Sequence, residues 1–286
     1  MPVILLAAVA AIGWGASDYF GGDTSSRNVP VFTIVAVAEL IGAAMMLPVL
    51  AVHGTLPPAK PALAFAAAAG VAVTIELSLI YRALGNGNAY ITAPVGALGA
   101  AIAASAGLIA GDPLSLTITA GLALALVGSG ISSWTSPTRS RSKGVPLRTA
   151  AICLTAAASV ATMLTCLHAA GRLDPYWATF AEHVSTALSA GMIALIRERS
   201  ADRRNPPGRR QFPRLAAIAA TGLAGDLAYA TASGHGALSI VATISSLYPV
   251  TTIIAAFLLT GARPTRLQLT GITLALLGAA LLSAAA

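Results

Sequence analysis

The chain has 286 residues, 56% of them hydrophobic and only 9% charged, against about 25% charged in an ordinary soluble domain. A soluble fold of this size needs far more surface charge, so a cytosolic enzyme, a nucleic-acid binder and a disordered chain are all disfavoured. The net charge of +7 reads as basic loops facing anionic lipid, because the bases are not interleaved with aromatics on any amphipathic face.

One membrane helix takes roughly 20 apolar residues, so ten of them with short turns would use about 200 to 280 residues. Apolar runs bounded by Gly, Pro or charge give ten predicted spans. The first half holds 2–20, 29–52, 62–81, 89–110 and 114–132. The second holds 147–170, 175–196, 215–233, 237–260 and 267–285. Span length and the lack of period-2 alternation argue for helices rather than a barrel. The opening residues carry no positive n-region and read as the first span, not as a cleaved signal peptide. Cys153 and Cys166 lie thirteen residues apart in one segment, about 20 Å along a helix, which is beyond disulfide reach.

Lys and Arg alternate sharply between loops. The connections after spans 1, 3, 5, 7 and 9 hold fifteen of the seventeen bases, and only Lys60 and Arg172 fall elsewhere. The positive-inside rule puts the fifteen in the cytoplasm and both termini outside.

The halves look alike. At an offset of 150, Gly121-Leu122-Ala123-Leu124-Ala125-Leu126-Val127-Gly128 faces Gly271-Ile272-Thr273-Leu274-Ala275-Leu276-Leu277-Gly278. Five spans per half is an odd number, so the halves are inverted in the membrane, as in alternating-access transporters. The expected fold is an all-α polytopic membrane protein, ten transmembrane helices in two inverted five-helix repeats. The first repeat covers 1–133, a basic loop 134–146, and the second repeat 147–286.

Gly13-Trp14-Gly15-Ala16-Ser17 in span 1, Ser245-Ser246-Leu247-Tyr248-Pro249-Val250 in span 9 and a Gly-rich last helix after a short polar turn accompany this repeat. Together they resemble the drug/metabolite transporter superfamily, EamA-type branch, over the whole chain. Within it the sequence is most similar to bacterial aromatic amino-acid exporters. The resemblance implies transport of small metabolites such as amino acids, sugars, nucleosides or drugs. The family often has Glu after the Gly that closes spans 4 and 9. Here Asp112 follows Gly111 but Ala262 follows Gly261, so a symmetric role is in doubt, and Asp112 reads as a structural cap.

Ionisable residues at bilayer depth are costly and are functional candidates by default. Asp18 and His168 lie near span ends, where capping or snorkelling competes with function. Asp18 gains weight because Trp14 sits one turn before it. Glu39 is near the middle of span 2, and Glu182 and His183 occupy the corresponding region of span 7. Adjacent residues point about 100° apart, so only one of these last two is expected to face a cavity squarely. Glu76 in span 3 and Asp226 in span 8 form a second, looser repeat pair, with Tyr81 and Tyr229 nearby. These carboxylates read as substrate or proton sites, or as plain interhelical hydrogen bonds. Trp14, Tyr81, Tyr229 and Tyr248 are candidates for stacking on an aromatic substrate or for packing the core. Pro94 and Pro249 are candidate helix kinks. Trp134, Tyr176 and Trp177 suit the membrane interface.

Small-xxx-small pairs at Gly96/Ala100, Gly121/Ala125 and Gly271/Ala275 suggest a packed scaffold of spans 4, 5, 9 and 10, leaving spans 1–3 and 6–8 to line the pore. No span carries a central Lys or Arg, so a phosphate ester is disfavoured and an amine fits better. The expected function is a secondary transporter in the bacterial inner membrane, exporting amino acids, aromatic or otherwise hydrophobic, by alternating access. Proton-coupled export of cationic drugs, and sugar or nucleoside transport, are the alternatives. A membrane-embedded enzyme is remote, since the loops hold neither Asp-x-x-Asp nor His-Glu-x-x-His. A receptor or scaffold would not need the repeat. With no phosphate loop the chain is not an ATP-driven pump by itself. No catalytic residue, cofactor, metal or nucleic acid is expected. The partners are the substrate, the bilayer and, in the coupled case, protons.

Overall fold

The computed structural model describes residues 2–27, 29–58, 60–85, 92–133, 147–197 and 209–285. Among them there is no strand, and eleven helices account for ten spans. The first half is α1 (Pro2–Ser26), α2 (Val31–His53), α3 (Lys60–Gly85), α4 (Thr92–Ile109) and α5 (Leu116–Ser132). The second is α6 (Leu147–Gly171), α7 (Pro175–Arg197), α8 (Phe212–Ser233), the broken pair α9 (Leu238–Ser245) and α10 (Tyr248–Thr260), and α11 (Arg266–Ala285). Eight spans are long and apolar enough to cross a membrane, counting α9 and α10 as one, and α4 and α5 are shorter apolar helices. The outward face is what lipid demands: Leu5, Leu40, Leu188 and Leu258 are all more than half exposed, where water would penalise them.

The helices pair with two-fold logic. α5 packs on α11 and α2 on α7, while α1 on α8 is matched by α3 on α6. Exchanging the halves maps the first two pairs onto themselves and the last two onto each other. Glycine makes the closest of these contacts possible. A Cβ at Gly128 would collide with the backbone of Gly271 and Ala275, and a Cβ at Gly278 would collide with the backbone of Gly121 and Ala125. These are the same contact seen from the two halves, at the offset of 150 visible in the sequence. In lipid no hydrophobic force drives helices together, so van der Waals contact at such small-residue seams carries the association.

Helix ends follow local chemistry. Ser115 caps α5 through the Ile118 amide at 3.1 Å. Gly54 and Gly261 end α2 and α10 at φ of 69° and 71°, a left-handed conformation that favours glycine.

Three expectations need correction. The first span does not stop at Phe20: α1 runs to Ser26, because Gly21 and Gly22 continue the helix and let the Tyr81 ring lie against Gly21. Pro94 does not kink span 4, because it falls in the first turn of α4, where a missing N–H costs no helical bond. Among the described residues, the proline inside a helix is instead Pro48 of α2. Pro249 does more than kink span 9. It sits at the start of α10, and Ser246 and Leu247 leave the helix before it. The Ser246 carbonyl at this break accepts a hydrogen bond from Ser129 Oγ at 3.1 Å.

Candidate functional site

The break in span 9, the glycines of α1 and α8 and the acids of α2, α3 and α8 converge on one interior cavity. Its volume as it stands is about 40 Å³, room for a few water molecules and below the usual range of small-molecule sites. α1 contributes Trp14, Ser17 and Asp18 to its wall, one face of a single helical turn. α2 contributes Glu39, α3 Glu76 between Val73 and Leu77, and α8 Gly222 and Asp226. Met163 of α6 and Tyr248 of α10 complete the lining. Among the described residues, four carboxylates and no base therefore face the space.

Glycines set these side chains in place. Gly13 of α1 lies against the backbone of Thr221 and Gly225, and the Trp14 ring occupies the volume that a side chain at Gly225 would need. The indole then donates from Nε1 to Asp226 Oδ1 at 2.8 Å. Its ring centroid lies 5.3 Å from that of Tyr229 and 6.4 Å from that of Tyr248. Gly96 of α4 clears room for the Tyr248 hydroxyl. That hydroxyl is buried with no hydrogen-bond partner, as is Glu76 Oε2. Buried polar atoms are normally satisfied, so these two unpaired atoms beside one cavity are candidates to meet a ligand's polar group.

A second layer lies behind the wall. His183 is fully buried, with Nδ1 bonded to Glu39 Oε2. Its Nε2 is 3.4 Å from Asp226 Oδ2, within ion-pair reach though not aligned as a hydrogen bond. Glu182 is also fully buried. Thr186 Oγ1 donates to its Oε1 at 2.7 Å, and its Oε2 lies 4.0 Å from His183 Nδ1. Ligand atoms of Glu39, Glu182 and His183 lie within 4.8 Å of one another, a spacing that a metal ion could use. Glu39 and His183 touch directly, which leaves no room for an ion between them as they stand.

The sequence candidates thus divide. Trp14, Asp18, Glu39, Glu76, Asp226 and Tyr248 line the cavity. His183 and Glu182 stand behind it, so neither of that adjacent pair faces it. Tyr229 supports Trp14 and donates to the Leu164 carbonyl at 2.8 Å, and Tyr81 lies between helices with its hydroxyl 3.5 Å from Ser17 Oγ. Asp18 does not sit at an interface but lines the interior, because α1 continues beyond it. His168 is buried near the end of α6, away from the cavity. Asp112 accepts from the Ser239 amide at 2.7 Å, a cap on the start of α9. The cavity also uses Ser17, Val73, Leu77, Met163 and Gly222, which the sequence reading did not single out. Ser17 lay inside the noted Gly-Trp-Gly-Ala-Ser stretch, whereas the other four carry no polar or motif signal. The lining comes mostly from spans 1–3, 6 and 8, as the small-residue seams suggested. Span 9 enters through Tyr248, and span 7 acts through His183 from behind. The side chain of Pro94 lies outside the described residues. Trp134 lies outside the described residues.

Comparison with known proteins agrees with this architecture. The family model described as the EamA-like transporter family matches residues 1–134 and 147–284. A solved structure titled "Crystal structure of protein" superposes with a TM-score of 0.78 over 99% of this chain and 97% of that chain. Its sequence identity is 17%, so the likeness speaks for the fold alone. Comparison with curated proteins finds no match.

Proposed function

The chain belongs to the EamA-like transporter family, multi-pass membrane transporters of small molecules, and from that premise we propose that it exports amino acids or similar amine-bearing metabolites by alternating access. The observation that carries the reading is the cavity wall, which among the described residues holds four carboxylates with an indole and a phenol and no Lys or Arg. Such a wall suits an ammonium group, by charge and by cation–π contact with Trp14 and Tyr248. It repels a phosphate ester. The apolar side of the cavity, Val73, Leu77 and Met163, suits a hydrophobic or aromatic side chain. The pseudo-two-fold seam of α5 and α11 supports two halves rocking about a central site. By loop charge the bases face the cytoplasm of a bacterial inner membrane, with both termini outside. Efflux of labelled phenylalanine from preloaded cells tests the reading. Expression should speed efflux, and no acceleration for any amine in a panel would overturn the substrate class.

A further inference from the structure

The amine reading leaves one feature unused: an imidazole bridging two cavity acids from behind. His183 of α7 contacts Glu39 of α2 through Nδ1 and reaches Asp226 of α8 through Nε2 at 3.4 Å. The His183 side chain is 1% exposed, and those of Glu39 and Asp226 are 9% and 11%. Glu39 and Asp226 therefore each have one side turned to His183 and the other to the cavity. We propose that this bridge is a proton site that exchanges with the substrate ammonium, so that one amine enters the cavity as one proton leaves.

The argument is charge balance in a dry interior. Unpaired charge is costly to bury, so the cluster holds the number of protons that brings it near neutrality. The groups around the bridge are Glu39 from α2, Glu182 from its own helix and Asp226 from α8. Across the cavity lie Asp18 from α1 and Glu76 from α3, with Tyr81 of α3 beside Ser17. α6 offers the cavity the uncharged Met163. With the cavity free of substrate, an imidazolium at His183 serves as the cation for Glu39 and Asp226. An ammonium entering the cavity pairs with the open sides of the same two carboxylates. Two cations then share them at short range in low dielectric, where like charges repel strongly. The cation that can leave without moving a helix is the proton. The Nδ1–H bond of His183 breaks, the proton passes to Glu39 and from its cavity-facing side to water. The imidazole keeps its lone pair as a neutral ring. Asp226 is held in place throughout by the Trp14 indole, so the carboxylate meant for the amine does not follow the departing charge. Reversal on the far side reloads the proton as the substrate leaves, which couples export to proton entry.

The inference rests on the amine reading, and one set of measurements separates the two. Calorimetric titration of the purified protein with 2-phenylethylamine, in two buffers of different ionisation heat, counts protons released per ligand bound. The expected count is about one where the bridge is protonated, with affinity improving by up to about tenfold per pH unit between roughly pH 6 and roughly pH 8. In His183→Gln the release should vanish and affinity should become flat across the same range. Binding with no release and no pH dependence in the unaltered protein overturns the exchange while leaving the amine reading intact. Full release retained in a folded His183→Gln also overturns it. No binding of this or any other amine overturns both readings.

Discussion

Asp226 is held from two sides, by the Trp14 indole at 2.8 Å and by His183 at 3.4 Å. Hydrogen bonds to charged groups contribute about 1.5–3 kcal/mol. Trp14→Phe keeps a ring in place and deletes only the donor. Half-saturation for an amine in the transport assay should therefore rise about tenfold or more, and the melting temperature should fall because the buried carboxylate loses a donor. An unchanged half-saturation would mean that Asp226 does not receive the amine. Tyr248→Phe makes the opposite kind of prediction. Its hydroxyl is buried without a partner, so deleting it should leave the melting temperature unchanged or slightly higher while weakening substrate binding. A clear loss of stability would place an unseen protein partner on that oxygen. The acids themselves could be read from sequence, because charge inside an apolar span stands out. Which of them face the cavity could not. The His183–Glu39 contact joins residues 144 positions apart, and nothing local distinguishes it from a plain interhelical bond.

Among the elements, the α5–α11 seam gives the sharpest test of the repeat. Gly128 and Gly278 meet the same backbone atoms in exchanged halves. Gly128→Ala and Gly278→Ala should each cost about 1–3 kcal/mol through backbone separation, and should lower the melting temperature in detergent by similar amounts. A large effect at one and none at the other would contradict the two-fold seam. The break between α9 and α10 depends on Ser129, whose hydroxyl satisfies the Ser246 carbonyl. Ser129→Ala should cost about 1–3 kcal/mol by leaving that buried acceptor unmet, read as a lower melting temperature. The repeat was legible because the offset aligned both glycines of each helix. The break was not, because a proline in an apolar run permits either a kink or a break, and the deciding partner comes from another span. The same limit misplaced the end of α1, where Gly21-Gly22 reads as a stop until Tyr81 is seen packed against it.

For the molecule as a whole, the proposed reading has loop charge orient the protein and the cavity acids select what it carries. At one end Asp23 of α1 binds Arg27 at 3.1 Å and Arg214 at 3.0 Å. At the other, Asp174 meets His53 and Thr55, each at 3.3 Å. In a background of Cys153→Ala and Cys166→Ala, a single Ser26→Cys should react with a membrane-impermeant thiol reagent only from the cytoplasmic side, and a single Thr55→Cys only from outside. Reversed labelling would invert the orientation without touching the fold. The central claim is that the four cavity carboxylates receive a substrate amine during transport. Counterflow of labelled L-phenylalanine into proteoliposomes preloaded with unlabelled amine tests it most directly. The account predicts a transient accumulation in the unaltered protein and its loss, by about tenfold or more, in Glu39→Gln, Glu76→Gln or Asp226→Asn. Undiminished counterflow in all three variants would contradict it.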